Sequence, residues 1–417
     1  MPSTHEQPIL AEEPVTTEFA SAWMPMSTMN TPSKKSPDQM VFGYEAGPGH
    51  DIVARIDEKF RPVWAPLPPD HRAALAGYFL PHKSSKESLA PTRPRLIKWY
   101  CPFAAQATFP SGHRYCINTY TGCSHRCRYC YAAGYEPDEP SAKRDFASNL
   151  AKDLADLERF DIPPAPVHLS NSTDPFQREL EERLGHTKLA LEALLAHRHR
   201  FSTVTILTKN PGLAASPEYA KLLAALGAAG EDHPAAAKWR AAGAPAVQVE
   251  VSLAFWREEA SRSWDPGAPS VAERIAGIHA LGEAGIPTVL RIDPLFPRSP
   301  LPLQPARSLS DFGLAEAQTA DDLESLVALA KTVGARHVIF SPVKIVQPRR
   351  SKMSLEMSRL LDIYRTMAWP GKAVWRGGCW RLPPATAERL ITGPFLEICQ
   401  RQDVPVKFCM SNLVETP

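Results

Sequence analysis

From about residue 115 to residue 345, segments with strand character alternate with segments of helical periodicity, and this alternation limits the fold more than any other property of the chain. The predicted strands are short, apolar and rich in β-branched residues: Cys116–Tyr120, Val167–Ser170, Thr203–Thr208, Val247–Leu253, Thr288–Ile292 and His337–Ser341. Strands that recur after a helical segment indicate a parallel sheet with right-handed crossovers. Since six units are too few for an eight-stranded barrel, the predicted fold is α/β, a partial (β/α)6 barrel of the TIM type.

The helical segments carry their own signals. In the first of them, apolar residues recur at helical spacing and predict one buried face: Phe146, Leu150, Leu154 and Leu157. Ser270 and Glu273 form a capping-box pattern that predicts the start of another helix. Further helices are predicted over Glu179–His197, Glu218–Leu226 and Asp321–Thr332.

The outer parts of the chain are predicted to be accessory to this barrel. Residues 1–45 are polar, rich in Pro, Ser and Thr and without a repeat pattern, so we expect them to be disordered. Residues 46–110 form a predicted N-terminal extension with a helix over Asp70–Phe79, residues 111–345 the barrel, and residues 346–417 a short C-terminal α/β segment that completes or covers it. The amino terminus lacks the basic and apolar regions of a signal peptide. No stretch of 18 apolar residues occurs and the net charge is only +2, so we expect a cytoplasmic protein that does not enter a membrane.

Polar side chains follow the predicted strands at the points where the strands end. They lie in a cysteine-rich loop and at four later positions: Ser172–Asp174, Thr208–Lys209, Ser252 and Arg291–Asp293. The carboxyl ends of parallel strands meet at one edge, where the loops of α/β proteins build active sites. The sequence therefore predicts a site at this edge.

The cysteine-rich loop holds Cys123, Cys127 and Cys130 in a C-x3-C-x2-C spacing. Three thiolates from one loop can ligate three irons of a cubic iron–sulfur cluster and leave the fourth iron without a protein ligand, whereas a ferredoxin-type site uses four cysteines. A structural zinc site is the first alternative, although it needs a fourth ligand and offers only His125 within the loop. A disulfide is the second alternative, and it needs an oxidising compartment.

The spacing, with Tyr129 before the last cysteine, resembles the radical S-adenosylmethionine (SAM) superfamily. Further segments resemble its spore photoproduct lyase-like branch: Ser172-Thr-Asp-Pro-Phe-Gln, Leu207-Thr-Lys, Pro269-Ser-Val-Ala-Glu-Arg, Arg291-Ile-Asp-Pro, Phe340-Ser-Pro-Val-Lys and Val406-Lys-Phe-Cys-Met. The resemblance covers roughly residues 115–410. It implies a [4Fe–4S] cluster on the three cysteines, SAM on the open iron, cleavage of SAM to a 5′-deoxyadenosyl radical, and a reducing protein such as a flavodoxin or a ferredoxin as partner.

The resemblance also implies roles for single residues around SAM. It places the Tyr129 backbone at the adenine, Lys209 at the carboxylate, and Tyr131 on the path of the radical. It places the remaining residues at the SAM amino group or sugar and in the barrel mouth: Ser172, Asp174, Glu250, Ser252 and Arg291.

Each role has a structural alternative. Asp174 can close an Asx turn, Lys209 can be solvated, and Tyr131 can be a buried tyrosine with a satisfied hydroxyl. Arg291 can form an ion pair with Asp293 or Glu250.

The substrate is less well specified. Residues 88–135 contain no Asp or Glu but several Arg and Lys, which suits a nucleic acid substrate or an acidic electron donor as well as a solvated basic face. The spore lyase carries a hydrogen-donating cysteine near the end of the second strand, and no cysteine occurs here between Cys130 and Cys379, so repair of the spore lesion is not implied. A peptide or small-molecule substrate, or a non-catalytic iron–sulfur protein, are the alternative functions. Cys379, Cys399 and Cys409 are candidates for an auxiliary cluster, with buried structural thiols as the alternative, and Cys379 is predicted to be the most exposed.

Overall fold

The computed structural model describes residues 96–98, 115–159, 164–231, 233, 241, 244–303, 305–348, 352–367, 373–376 and 379–409. The predictions for residues 1–45 and for the helix over Asp70–Phe79 lie outside these ranges. The boundaries of the four predicted segments stay predictions.

Twelve strands occur in the described ranges. In chain order they are β1 (Tyr115–Ile117), β2 (Tyr120–Thr121), β3 (Ser141–Ala142), β4 (Ala165–Leu169), β5 (Phe201–Thr208), β6 (Val247–Ser252), β7 (Thr288–Leu295), β8 (Val338–Pro342), β9 (Ile345–Val346), β10 (Val374–Arg376), β11 (Cys379–Arg381) and β12 (Val406–Phe408).

Eleven α-helices connect these strands within the same ranges. They are α1 (Phe146–Arg159), α2 (Arg178–Leu184), α3 (His186–Ala196), α4 (Pro211–Ala214), α5 (Pro217–Ala228), α6 (Glu258–Trp264), α7 (Val271–Glu283), α8 (Ala320–Thr332), α9 (Leu355–Met367), α10 (Pro384–Ala387) and α11 (Gly393–Arg401). Short 3₁₀ turns lie at Tyr131–Gly134, Arg198–Arg200 and Ser310–Phe312, and a π turn lies at Glu388–Thr392. The longest described helix has 14 residues, short of the ~20 apolar residues that a membrane span requires.

The main sheet has seven parallel strands in the order β1-β4-β5-β6-β7-β8-β12. Each strand of this sheet pairs with the strand of the same sheet that comes before it in the chain. Right-handed crossovers between such strands place the connecting helices on one face of the sheet, and the sheet curls around the other. No pairing joins β1 to β12 within the described residues, and the barrel is therefore open. This confirms the predicted partial (β/α)6 barrel, to which β12 adds a seventh strand.

The apolar pattern packs the helices onto the sheet. All four residues of the predicted stripe on α1 are buried, and so are the strand residues Ile206, Val249 and Leu290. The predicted capping box is present: the hydroxyl of Ser270 accepts a hydrogen bond from the Glu273 backbone amide while the Glu273 carboxylate accepts one from the Ser270 amide.

Two predicted elements are wrong in their continuity. The helix predicted over Glu179–His197 is two helices, because Gly185 adopts φ +60° and ends α2 before α3 begins. Glycine reaches this left-handed conformation without the Cβ clash of other residues. The strand predicted over Cys116–Tyr120 is interrupted at residues 118–119, after which Tyr120–Thr121 pairs with β3 instead of the main sheet.

A second, three-stranded sheet has the order β10-β11-β9 and packs beside the 3₁₀ turn at Tyr131–Gly134. A Cβ built on Gly134 would lie 3.1 Å from Val346 Cγ1, so the two segments are in close contact. Cys379 lies in β11 and is only 4% exposed, so the prediction that it is the most exposed of the downstream thiols is wrong. Its pairing with Val346 buries it.

Candidate active site

The three cysteines lie in one tight loop between β2 and the 3₁₀ turn that begins at Tyr131. Gly122 opens the loop with φ +70°, and a Cβ there would lie 2.6 Å from the backbone oxygen of Glu139. Within the loop, the amide of Cys130 donates to the backbone oxygen of Cys127 over 3.0 Å. With the turn in which the Arg126 amide donates to the Cys123 oxygen over 3.4 Å, the chain reverses twice and brings three cysteines from eight residues into one loop.

The segment after α6 holds this loop in place. The amide of Arg128 donates to the Trp264 oxygen over 2.9 Å, and the amide of Gly267 donates to the His125 oxygen over 3.0 Å. The Nδ1 atom of His125 lies 3.1 Å from the Gly267 oxygen. A Cβ at Gly267 would lie 2.1 Å from the Ser124 oxygen, so only glycine permits this approach.

Acidic side chains from other elements neutralise the basic residues of the loop. Arg128 forms an ion pair with Glu356 of α9, and the exposed Arg126 pairs with Glu139 at 3.2 Å. The loop is thus bound to the C-terminal segment, and part of the positive charge that the sequence showed around the cysteines is balanced in the folded chain.

The three thiols lie within electrostatic reach of one another. Burial raises the pKa of Cys123 to about 12, and the charges of Asp174 and Cys130 add to this rise. Burial raises the pKa of Cys127 as well; Asp265 strengthens the rise and Lys209 opposes it. Burial also raises the pKa of Cys130. Such thiols stay protonated until a metal centre displaces their protons.

Three soft sulfur donors suit iron or zinc. Within the described ranges, no three His, Cys, Asp or Glu side chains are arranged to hold a single metal ion. Three thiols can ligate three irons of a [4Fe–4S] cluster, so the residues of the loop fit such a group.

The histidine within the loop does not offer a fourth ligand. Its Nδ1 atom faces the Gly267 oxygen, and its Nε2 atom lies 3.0 Å from Asp174 Oδ2. Two other described cysteines also have polar neighbours: Asn171 donates to Cys116 Sγ over 3.2 Å and Arg291 donates to Cys409 Sγ over 3.0 Å.

Asp174, at the end of the loop that follows β4, organises this edge of the barrel. It accepts hydrogen bonds from Thr208 Oγ1 at 2.8 Å, from the Lys209 amide at 2.6 Å and from the Phe176 amide at 2.8 Å. The last of these is the Asx bond that the sequence offered as an alternative. Burial opposes ionisation of Asp174, but its contacts with His125 and these donors lower its pKa. The carboxylate joins the cysteine loop to the ends of β4 and β5.

Lys209, directly after β5, reaches into a buried polar group beside Cys127. Its Nζ atom donates to the Tyr129 hydroxyl over 2.8 Å and lies 3.3 Å from Asp265 Oδ2. The Tyr129 hydroxyl donates to Asp265, and Arg274 donates to the same carboxylate over 3.2 Å. The structure thus brings two predicted residues, Tyr129 and Lys209, together, and Lys209 is not the solvated lysine of the alternative.

Glu250, Ser252 and Arg291 follow one another across the ends of β6 and β7. Arg291 forms ion pairs with both Glu250 and Asp293, each at 2.7 Å, so both of the alternative ion pairs are present. Ser252 is buried, and its backbone oxygen lies 3.5 Å from Arg274. All three lie at the predicted edge of the sheet.

The remaining predicted residues line the surface next to the cysteines. Tyr131 is 38% exposed, and its hydroxyl donates to the Asn171 backbone oxygen, so it is not the buried tyrosine of the alternative. Ser172 lies 3.0 Å from the Tyr135 hydroxyl, and the Tyr131 and Tyr135 rings are 6.3 Å apart.

Sequence reasoning missed Asp265, Arg274 and the bridging role of His125. Asp265 belongs to an Asp-Pro-Gly turn directly after α6, a signal that gives a turn but not its neighbours. Arg274 lies on the apolar face of α7, where a fully buried arginine needs a partner. An arginine on an apolar helix face thus predicts a buried carboxylate partner, but it does not identify Asp265 as that partner.

No protein-family model matches the chain. Uncharacterised proteins of Mycobacterium bovis and Mycobacterium tuberculosis are each 32% identical to it over 193 residues, which is 44% of this chain and 50% of each relative. The chain therefore spans about half the length of the curated relatives that it matches.

Solved structures similar to the chain include a spore photoproduct lyase, SuiB and a radical SAM methyltransferase. A spore photoproduct lyase with bound SAM and a dinucleoside spore photoproduct has a TM-score of 0.46 and 13% identity, over 75% of this chain and 78% of the lyase. SuiB from Streptococcus suis, bound to SAM, has a TM-score of 0.39 and 11% identity, over 70% of this chain and 49% of SuiB. The methyltransferase TsrM from Kitasatospora setae, with cobalamin and a [4Fe–4S] cluster, has a TM-score of 0.37 and 18% identity, over 66% of this chain and 42% of TsrM. At these identities the similarity concerns the fold alone.

Proposed function

We propose that this protein is a radical SAM enzyme in which Cys123, Cys127 and Cys130 hold a [4Fe–4S] cluster. When bound, the cluster supplies the single electron, received from a reducing protein, that cleaves SAM to methionine and a 5′-deoxyadenosyl radical. The contribution of the chain is to hold the ligands, orient SAM and exclude water and oxygen.

One observation carries the proposal: three thiols within electrostatic reach of one another lie in one loop at the carboxyl edge of an open parallel barrel. The hydrogen bonds of His125 and Gly267 fix the loop to the segment after α6. Because the Nδ1 atom of His125 faces the Gly267 oxygen and its Nε2 atom lies 3.0 Å from Asp174, the three cysteines of the loop would leave one iron of a cubic cluster free for SAM. A non-catalytic electron carrier needs a fourth ligand there.

The charged residues around the cysteines support binding of SAM, which carries a carboxylate, an ammonium and a sulfonium group. Lys209 is only 12% exposed in its side chain and offers a fixed cation for the carboxylate. Ser172, Glu250, Ser252 and the Tyr129 backbone are proposed for the amino group, ribose and adenine. Since Asp174 already accepts hydrogen bonds from several donors, it positions the loop and the lysine backbone in our proposal.

We propose a nucleic acid base as the substrate class. The exposed rings of Tyr131 and Tyr135 lie beside the cysteines, and aromatic rings of this kind stack on bases of any sequence. Arg291 points to the same region, close to Cys409. Hydrogen abstraction from a peptide or a small molecule is the competing proposal, and a substrate screen with single-stranded oligonucleotides separates the two. The flavodoxin or ferredoxin partner and the cytoplasmic location stay predictions.

Anaerobic reconstitution with iron and sulfide tests the proposal. We expect about four irons per chain, an electron paramagnetic resonance (EPR) signal of a reduced [4Fe–4S] cluster, and a change in that signal when SAM is added. A Cys130→Ala variant should lose the signal, whereas Cys399→Ala, a buried thiol of α11, should keep it. A single bound zinc, or a cluster whose signal does not respond to SAM, would contradict the proposal.

A further inference from the structure

A buried group of three charges lies behind Cys127. Asp265 forms ion pairs with Lys209 at 3.3 Å and with Arg274 at 3.2 Å, and the side chains of Asp265 and Arg274 have no solvent exposure. We call these three residues the 209–265–274 network. Two hydrogen bonds hold the network beside the cysteine loop: the amide of Arg128, next to Cys127, donates to the oxygen of Trp264, next to Asp265, over 2.9 Å, and Lys209 donates to the Tyr129 hydroxyl over 2.8 Å.

The charges of this network do not cancel. It contains one carboxylate and two cations, and its other hydrogen bonds go to uncharged groups: the Tyr129 hydroxyl, the Ser261 hydroxyl and the Ser252 backbone oxygen. The three residues of the network together therefore carry a net charge of about +1. In a buried site such a charge acts on its neighbours with far less screening than in water.

The network is also built into the scaffold of the site. Lys209 follows β5, Asp265 directly follows α6, and Arg274 lies in the first turn of α7. The segment that carries Asp265 is the one that binds the cysteine loop through Gly267. The positive charge is thus held at a fixed place relative to the thiols.

We infer that the 209–265–274 network sets the reduction potential of the iron–sulfur cluster, by stabilising the extra negative charge of the reduced state. This inference rests on the proposed function, because it requires that a cluster binds. Lys209 and Arg274 favour reduction and Asp265 opposes it, so the three residues act through the charge that they place beside Cys127. Electrons enter from dithionite or a reducing protein, one per cluster.

Two substitutions change the net charge of the network in opposite directions. Asp265→Asn raises it from about +1 to about +2 and should shift the cluster midpoint potential upwards. Arg274→Gln lowers it to about zero and should shift the potential downwards. A role limited to packing predicts no such reversal of sign, since both changes only weaken the same contacts. Arg274→Lys keeps the charge and should leave the potential near that of the unchanged protein.

Arg200→Gln is the matched control. Arg200 is a buried arginine that pairs with Glu158 at 2.7 Å at the start of β5, the opposite end of the strand that Lys209 follows. The eight-residue strand lies between the two positions, which are therefore roughly 30 Å apart, so the control should not move the potential.

The test is a redox titration of the reconstituted full chain without SAM, followed by EPR and accompanied by iron and sulfide analysis. If Arg274→Gln does not fold, Lys209→Gln provides the lower-charge variant. Opposite shifts in the two directions support the inference. Equal potentials, or shifts of the same sign, overturn it while leaving the proposed function intact. Failure of the unchanged protein to bind any [4Fe–4S] cluster overturns the proposed function itself.

Discussion

Lys209 and Tyr129 lie 80 positions apart in the chain and meet through a 2.8 Å hydrogen bond from the lysine ammonium to the phenol oxygen. The barrel brings them together because β5 ends next to the cysteine loop. The same lysine lies over the Tyr129 ring at 5.3 Å from its centre. A cation held this firmly is prepared to bind a carboxylate at little entropic cost.

Removing this cation should weaken SAM binding. We expect Lys209→Gln to lower the affinity for SAM by roughly 10- to 100-fold, because a hydrogen bond to a charged group contributes about 1.5–3 kcal/mol. Equilibrium binding of SAM to the anaerobically reconstituted protein measures the change. Lys188→Gln, an exposed lysine paired with Glu218, should bind SAM normally. Equal affinity in both variants would remove Lys209 from the SAM site.

Asp174 should be needed for a stable site because its carboxylate accepts hydrogen bonds from several donors. In Asp174→Asn the amide nitrogen must face a donor such as the Lys209 amide or Thr208. We expect a loss of about 1–3 kcal/mol in the free energy of unfolding, measured by urea denaturation. The exposed Asp138→Asn should change it little. An unchanged stability of Asp174→Asn would show that the carboxylate does not organise the edge.

Gly267 should be irreplaceable because of its contact with Ser124. A Cβ at 2.1 Å from a backbone oxygen forces the two segments apart, so Gly267→Ala should cost about 1–3 kcal/mol and reduce cluster occupancy. Gly212→Ala is a matched control, since its nearest neighbour would be the Asn210 side chain at 3.8 Å. Urea denaturation and iron analysis of both variants measure the effect. Full iron content in Gly267→Ala would contradict the role of this contact.

The stability of the fold should fall in acid through His337. Burial lowers its pKa to about 3, with further contributions from Lys407 and Arg336. Since the unfolded residue has a pKa of about 6.5, the unfolded state binds the extra proton between pH 6.5 and 3, and stability is lost as the pH falls through this range. The loss at pH 5 should be on the order of 2 kcal/mol.

Urea denaturation at pH 7 and pH 5 measures this dependence. His337→Gln should flatten it, and the exposed His279→Gln should not. If His337→Gln loses as much stability as the unchanged protein on acidification, burial of this histidine is not the cause.

The sequence predicted the elements whose residues carry a local signal. Five of the six predicted strands occur as continuous strands and the first is interrupted after Ile117, because β-branched runs between helical segments leave few other structures. The cysteine loop and the Ser270 capping box could also be predicted from the sequence, since both are patterns of neighbouring residues.

Features that depend on contacts between residues far apart in the chain could not be predicted from the sequence. The break at Gly185 requires knowledge of its φ angle, which the helical periodicity on both sides concealed. The burial of Cys379 comes from a pairing with Val346 across the second sheet. Asp265 and Arg274 become partners only when α6 and α7 pack beside the cysteine loop. The spacing of residues in the sequence therefore does not predict this ion pair.

The most direct test of the central claim is the formation of 5′-deoxyadenosine from SAM by the reconstituted, dithionite-reduced protein under anaerobic conditions. We predict turnover by the unchanged protein and by Cys399→Ala, and none by Cys127→Ala. No 5′-deoxyadenosine from a protein that holds a full [4Fe–4S] cluster, or equal amounts with Cys127→Ala, would contradict the account.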